Sequence, residues 1–308
     1  MTIDFEVVTS ELQFPEGPVA MQDGSVLVVE IERGSLSRVL ANGSIEVVAL
    51  LGGGPNGAAM GPDGHCYVSN NGGFEWVHAR GRTYPGVQAN DYTTGRIERV
   101  NLDTGEFETL YESCNGQPLR GPNDIVFDRT GGFWFTDHGK TRMRERDRTG
   151  VFYAQPDGSS IEEVIFPLEA PNGVGLSPEE DVLYVAETPT ARLWAYPLQS
   201  PGKLLGERLD RPDGGRVVPG RNAYCMYDSL AVDANGNVCV ATLMNGGITV
   251  LSPQGDTPKF IPMPDRLTTN ICFGGADLRT AYITLSSTGQ LVRLDWECAG
   301  LPLNFLNN

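Results

Sequence analysis

The stretch GPNDIVFDRTGGFWFTD, Gly121 to Asp137, reads as two short antiparallel strands joined by a turn. Pro122-Asn123 is a turn signal at its mouth, Ile125 and Phe127 share an apolar face, and Asp128 to Gly132 reverse the chain. Phe133 and Phe135 carry the return strand to Asp137. A polar Asn-Asp pair therefore stands where the first strand begins, and a carboxylate where the second one stops.

The same pattern recurs five more times. It appears as FPEGPVAMQDGSVLVVE with Glu16 at the mouth, GPNGAAMGPDGHCYVSN with Asn56, and APNGVGLSPEEDVLYVAET with Asn172. It then appears as YDSLAVDANGNVCVATL with Asp228, and TNICFGGADLRTAYITL with Asn270. In the first unit two more strands follow, Ser35 to Leu40 and Ile45 to Leu50, so one unit holds four strands. A single small sheet cannot bury both of its faces, whereas six packed radially can. The repeat therefore predicts an all-β fold, a six-bladed β-propeller of four-stranded antiparallel blades forming one domain over residues 1–308. The sixth unit holds only three strands before Trp296, and the strand Phe5 to Val8 is left over at the other end. Pairing the two closes the ring and hides an edge. There is no GxSxG, the glycine run Gly52-Gly53-Gly54 lacks a following lysine and helix and reads as a turn, and no long amphipathic helical pattern occurs, which argues against an α/β hydrolase or a Rossmann fold.

Composition narrows the partners. Lys+Arg 23 against Asp+Glu 39 gives a formal charge of -16, which disfavours tracking of nucleic-acid phosphates and attraction to anionic membranes. No segment has the apolar length to span a bilayer, and MTIDFEVVTSELQ lacks the basic and apolar regions of a secretory signal. Six dispersed cysteines, with Cys66, Cys239 and Cys272 inside apolar strand patterns, read as buried free thiols of a reducing compartment. The expectation is a cytoplasmic monomer or small homo-oligomer acting on a small molecule, with no nucleic-acid or membrane partner.

Propeller symmetry turns sequence position into geometry. The innermost strand of each blade starts at one face of the central channel, so Glu16, Asn56, Asn123, Asn172, Asp228 and Asn270 are expected to converge around its axis. An asparagine after proline often does no more than cap a turn. A glutamate in Glu-Gly-Pro has no comparable cap role, which makes Glu16 the telling member. Buried carboxylates and amide oxygens in a ring need neutralising, and a hard divalent cation accepts such ligands. With His65, His78 and His138 the only histidines, a histidine-rich zinc site is excluded. The return strands are read as leading away from this face, which would set Asp137, His138 and Glu187 on the opposite side unless the following loop comes back. Residues 74–97, rich in aromatic and polar side chains, read as a long functional loop over the channel mouth, with Glu75, Trp76 and Tyr84 as candidates for gripping a substrate. Residues 197–222 read as a strand, a turn and a long loop leading into the fifth unit, and Arg142 to Gly150 as a solvated connection of mixed charge.

FPEGPVA, GPNDIVFD, PNGVGLS, YDSLAVDANGNVCVA and TNICFGG, ending in AYIT, occur in that order. In this the chain resembles the SMP-30/gluconolactonase/LRE-like family over roughly Phe14 to Trp296. The resemblance implies one catalytic divalent ion, most readily Ca2+, with Zn2+, Mn2+, Mg2+ or Fe2+ as alternatives. Carried over residue by residue, it implies Glu16, Asn123, Asn172 and Asp228 as the ligands. It implies hydrolysis of a small lactone, foremost a sugar (aldono) lactone, by an activated water, and Asp228 is the expected general base. Arg120 resembles a substrate-contacting arginine of some members, and Arg120, Asn123, Asp137 and His138 make up the expected substrate-binding set. Two other readings stay open: an organophosphate triesterase resembling diisopropylfluorophosphatase, and a metal-binding propeller without catalysis.

Overall fold

A computed structural model of the protein describes residues 4–206 and 213–307. Six antiparallel sheets stand around a central channel. Blade 1 runs Pro15–Ala20, Val26–Glu30, Ser35–Val39 and Ile45–Leu50, in order from the axis outward. Blade 2 is Pro55–Met60, Cys66–Asn70, Arg96–Val100 and Phe107–Tyr111. Blade 3 is Pro122–Phe127, Phe133–Asp137, Thr149–Ala154 and Ile161–Leu168. Blade 5 is Met226–Val232, Val238–Leu243, Gly247–Leu251 and Lys259–Pro262. Blade 6 takes Thr268–Gly274, Thr280–Leu285 and Gln290–Asp295 from the C-terminal side, and Glu6–Thr9 from the N-terminal side supplies its fourth strand. The expected ring closure is therefore present.

Blade 4 is the irregular one. Pro171–Leu176, Val182–Glu187 and Arg192–Ser200 are regular, but the outer position is shared by two short pieces, Lys203–Leu204 and Arg216–Val218, both paired to the third strand. Part of the long loop expected over 197–222, residues 207–212, lies outside the described residues.

The apolar pattern follows from radial packing. Second strands such as Val26–Glu30, Cys66–Asn70 and Phe133–Asp137 are buried on both faces, whereas the outer strand Ile45–Leu50 is largely exposed. The core is accordingly divided into six clusters between neighbouring blades and a seventh, small one of Phe14, Ile31 and Leu267 packed under Phe74 and Trp76. Tyr67 and Ile97 of blade 2 meet Phe127, Phe133 and Phe135 of blade 3, and Val240 of blade 5 meets Tyr184 and Leu193 of blade 4. Five of the six cysteines are buried free thiols, as expected, and Cys298 is half-buried.

Each return strand runs antiparallel to its inner strand, pairing Pro122 with Asp137, Pro171 with Glu187 and Pro15 with Glu30. This corrects the expectation that Asp137, His138 and Glu187 lie on the opposite side. The inner strand leaves the entrance face and the second strand comes back to it. All three residues sit on the face where the ring residues stand.

The far end of the channel is crossed by the residues after Trp296. Leu301 N–H donates to Val232 O (2.9 Å), Asn304 Nδ2 to Glu180 Oε1 (2.6 Å), and Gln22 Nε2 to Leu306 O (2.7 Å). Between this tail and the ring lies a mostly apolar cavity of about 440 Å³, bounded by Ile125, Leu176, Leu230, Phe273 and Leu303, with Asp124 and Asn270 also in its wall.

Candidate active site

The six inner strands share one irregularity. The ladder to the second strand slips between Glu16 and Val19, Pro55 and Gly57, and Pro122 and Ile125. It slips likewise between Pro171 and Val174, Tyr227 and Leu230, and Thr268 and Asn270. A bulge re-aims the side chains beside it, and in every blade it falls at or beside the residue picked out by the repeat. The strands also crowd together there. An added Cβ on Gly17 would lie 2.9 Å from Asn56 O, one on Gly57 2.3 Å from Asn123 O, and one on Gly173 2.8 Å from Asp228 O. In blades 1, 2 and 4 a glycine follows the ring residue because the neighbouring backbone occupies the space a side chain would need.

The ring residues are all buried. Glu16 Oε2 accepts from its neighbour Gly17 N–H (2.9 Å) and from Asn270 Nδ2 (2.9 Å). Asn270 Oδ1 is in turn taken by Ile271 N–H (2.8 Å), so Asn270 offers its amide N–H to Glu16 and holds that carboxylate in place. Asn172 Nδ2 donates to Thr188 Oγ1 (3.1 Å), and Ser229 Oγ reaches Asn172 Oδ1 (3.3 Å). Asn123 Oδ1 is buried without a hydrogen-bond partner. An orphaned acceptor of this kind costs about 1–3 kcal/mol unless something else fills it.

Electrostatics point the same way. Burial first, and then the charge of Glu16, raise the Asp228 carboxyl well above its usual range, with Asp124 adding to the effect. Asp124 itself is pushed up to about 7 by burial and by Glu16. Burial likewise raises Glu16, against the hydrogen bonds from Asn270 and Gly17. Three carboxylates that feel one another in a dry ring are a site for positive charge. Asp124 was not singled out from the sequence. It follows Asn123 directly, accepts Val174 N–H from the next blade (3.2 Å), and ties blade 3 to blade 4. Among the described residues no three Asp, Glu, His or Cys side chains form a cation cluster by themselves, so a site here has to draw on asparagine oxygens as well.

Asp137 has a different job. Its Oδ1 accepts Gly121 N–H (2.7 Å) and Gly139 N–H (2.8 Å), and its Oδ2 accepts Arg120 N–H (2.7 Å). The same device recurs at the end of other second strands. Glu30 accepts Gln13 N–H (2.7 Å), Asn70 accepts Gly54 N–H (2.9 Å), and Glu187 accepts Glu169 N–H (2.9 Å). In four blades, then, an acceptor on the second strand holds the loop that leads into the inner strand and fixes where the ring residue starts. Asp137→Asn should therefore lower unfolding free energy by about 1–3 kcal/mol, because an amide keeps one acceptor oxygen and sets an NH2 donor where the carboxylate's second oxygen accepts a backbone N–H. Denaturant titration checks this. A raised KM with unchanged stability would instead place Asp137 against a substrate.

His138 is half-buried and gives its backbone N–H to Gly121 O (2.8 Å). Burial, and then Arg146, push its imidazole down to about 4, so it is neutral at pH 7. Arg120 is exposed at the rim, and its carbonyl accepts the Tyr92 hydroxyl (2.7 Å).

The long segment between the second and third strands of blade 2 is a two-stranded hairpin, Phe74–Ala79 and Arg82–Gln88. It reaches over the entrance face to blade 1 and to the loop between blades 5 and 6. Trp76 packs on Phe14 with ring centroids 5.0 Å apart, His78 Nε2 lies 2.9 Å from Glu32 Oε1, and Arg82 Nη1 lies 3.0 Å from Asp265 Oδ1. Its root is pinned by Lys140, whose buried Nζ donates to Asn71 O (2.8 Å) and Gly73 O (2.7 Å). Of the side chains expected to grip a ligand, Glu75 accepts Asn90 N–H (2.8 Å) and Trp76 is packed against Phe14.

Fold and ring together define a six-bladed propeller with a buried oxygen-donor cluster at one end of its channel. The chain belongs to the family described as the SMP-30/Gluconolactonase/LRE-like region, whose model matches residues 14–287. It is 27% identical over 312 residues to a gluconolactonase of Zymomonas mobilis, an alignment covering 94% of this chain and 80% of the other. It is 31% identical over 200 residues to a 6-deoxy-6-sulfogluconolactonase of Pseudomonas putida, covering 63% of this chain and 64% of that one. Among solved structures it resembles a calcium-binding regucalcin of Agrobacterium tumefaciens with a TM-score of 0.78 at 18% identity, covering 99% of this chain and 98% of the other. At that identity the likeness speaks for the fold.

Proposed function

We propose that this protein is a divalent-cation-dependent lactonase that opens a sugar (aldono) lactone. The observation that carries the reading is the ring itself, in which Glu16, Asp124 and Asp228 are buried within electrostatic reach of one another and Asn123 Oδ1 has no hydrogen-bond partner. Residues of this kind fit a hard cation, for which calcium is the first choice because every donor is oxygen. Glu16, Asn123, Asn172 and Asp228 would hold it. Bound there, the ion supplies Lewis acidity toward a carbonyl oxygen or a water. The names of the relatives support a sugar lactone as the substrate class.

The protein's own groups account for proton movement and order. Asp228 takes a proton from the water that attacks the lactone carbonyl carbon, the ring C–O bond breaks, and the alkoxide so released takes up a proton to become the hydroxyl of the open acid. Asn270 fixes Glu16, and Thr188 with Ser229 fixes the amide plane of Asn172, so the donors are set before substrate arrives. Arg120 at the rim is the remaining candidate for contact with substrate hydroxyls.

Chelator-stripped protein should release no acid from glucono-1,5-lactone and a panel of related lactones, and calcium should restore turnover. Absence of turnover on every lactone with calcium bound would overturn the proposal. Hydrolysis of diisopropyl fluorophosphate without hydrolysis of any lactone would replace it with the triesterase reading.

A further inference from the structure

A second cavity, of about 320 Å³, opens on the entrance face between the hairpin tip and the loop that leads into blade 6. Its wall consists of Arg80, Arg82, Tyr84, Pro264, Arg266 and Ser287. Three arginines therefore line one hollow, Arg80 and Arg266 exposed and Arg82 half-buried, in a chain whose formal charge is -16. Arg82 is accounted for: Nη1 donates to Asp265 Oδ1 (3.0 Å) and Ser287 Oγ (2.9 Å), and Asp265 also accepts Leu267 N–H (3.0 Å). That network fixes the hairpin tip on the loop. Arg80 and Arg266 are not accounted for. Among the described residues neither guanidinium has an acid or a hydrogen-bond acceptor, although acids outnumber bases in the sequence.

The chain geometry keeps these cations together. Ala79-Arg80-Gly81-Arg82 is a two-residue hairpin turn in which Arg80 (φ 54) and Gly81 (φ 68) both have positive φ, the conformation of the tightest hairpins. It sets Arg80 and Arg82 side by side at the tip. Arg266 comes from the opposite wall, its carbonyl held by Met244 N–H (2.9 Å). Asp265 is engaged by Arg82, which leaves the charges of Arg80 and Arg266 without a paired acid among the described residues, and a planar fork of donors matches the oxygens of phosphate, sulfonate or carboxylate. Arg266 also precedes Asn270 by four residues, at most about 13 Å along an extended chain. The hollow is thus next to the channel mouth.

We propose that this cavity is a binding site for an oxyanion, the phosphate, sulfonate or carboxylate group of a small molecule held by Arg80, Arg82 and Arg266. Such an anion comes either with the molecule that enters the channel or as a free ion beside it. The first source rests on the lactonase reading, and the site itself does not.

Inorganic phosphate titrated into the intact protein by calorimetry, at constant ionic strength, should give saturable one-site binding. The double variant Arg80→Ala/Arg266→Ala should bind at least 10-fold more weakly, with an unchanged circular dichroism spectrum. Arg82 is left in place because it anchors the hairpin. Absence of saturable binding, or equal binding by the variant, overturns the proposal, whatever the protein does to lactones. The source is then read from kinetics. A KM that rises in the variant for a 6-phosphorylated lactone, and not for its neutral parent, assigns the anion to the substrate. A phosphate-dependent rate on the neutral lactone that disappears in the variant assigns it to a free ion.

Discussion

With the proposed calcium site in the ring, Asp228→Asn and Glu16→Gln should each abolish any gain in thermal stability on adding calcium, and each should reduce lactone hydrolysis by more than the roughly 10–100-fold that follows loss of an outer-shell partner of a metal ligand. Neither should lower the melting temperature of the chelator-stripped protein. This second half is the sharper expectation, because it runs against the usual penalty for altering a buried polar residue. The reason is the sign of the pKa shifts. Glu16, Asp124 and Asp228 all have folded-state values above their ordinary ones, chiefly through burial. An unfolded chain ionises these groups near pH 4, whereas the folded chain keeps protons on them to higher pH. As pH rises from about 4 through the folded-state values, the folded state binds more protons than the unfolded one, so the ring progressively subtracts from stability. An amide in place of Asp228 removes one of the three charges and with it part of that cost. For wild type, a cation at 100 times its Kd adds about 2.7 kcal/mol, on the order of 5 °C in Tm for a chain of this size. Differential scanning calorimetry with and without calcium, at pH 5 and pH 8, reads all of this. A stripped Asp228→Asn protein that melts several degrees below stripped wild type would show that the carboxylate serves the fold, not a cation.

The repeat, the ring closure and the ring residues were legible because each is a matter of spacing. One unit such as GPNDIVFDRTGGFWFTD fixes a strand, a turn and a strand, and six of them leave one architecture. What spacing does not carry is direction and register. Spacing alone sends Asp137 and Glu187 away from the entrance face, whereas Pro122–Asp137 and Pro171–Glu187 pairing returns them to it. Their part in holding the entry to their own blade's inner strand is visible in the repeat, since Glu30, Asn70, Asp137 and Glu187 stand at one position of it. Asp124 was missed for a physical reason. In a regular strand it would point away from the face used by Asn123, and only the bulge between Pro122 and Ile125 brings both residues to the ring. The hairpin is hard to tell from a loop in the sequence because its turn, Arg80-Gly81, lacks the asparagine that usually marks such a turn. The segment after Trp296 has no periodicity at all, and only the open end of the channel explains where it goes.

Gly57→Ala and Gly173→Ala should damage the site more than the fold. Alanine is no worse than glycine for an ordinary strand backbone, and neither residue has positive φ. The obstacle is the neighbouring blade. A Cβ on Gly57 would sit 2.3 Å from Asn123 O and 2.9 Å from the Asp124 Cα, and one on Gly173 would sit 2.8 Å from both Asp228 O and Leu230 N. Those atoms are backbone, so the methyl group can be housed only if the inner strands part by roughly 1 Å, a strain of about 1–3 kcal/mol. Parting them moves Asn123 and Asp124, or Asp228, relative to the rest of the ring. A 1 Å misplacement of groups that act together can cost about 100-fold in rate. Calorimetric calcium titration and kcat/KM should therefore both fall by one to two orders of magnitude at a temperature where the variants remain folded. Gly64→Ala provides the control. Gly64 has φ 76 with nothing within 4 Å of an added Cβ, so alanine there strains a turn without touching another blade. It should reduce stability and leave cation affinity unchanged. If Gly57→Ala and Gly173→Ala behave like Gly64→Ala, losing stability while binding calcium normally, then close contact between the inner strands is not what brings the oxygens together.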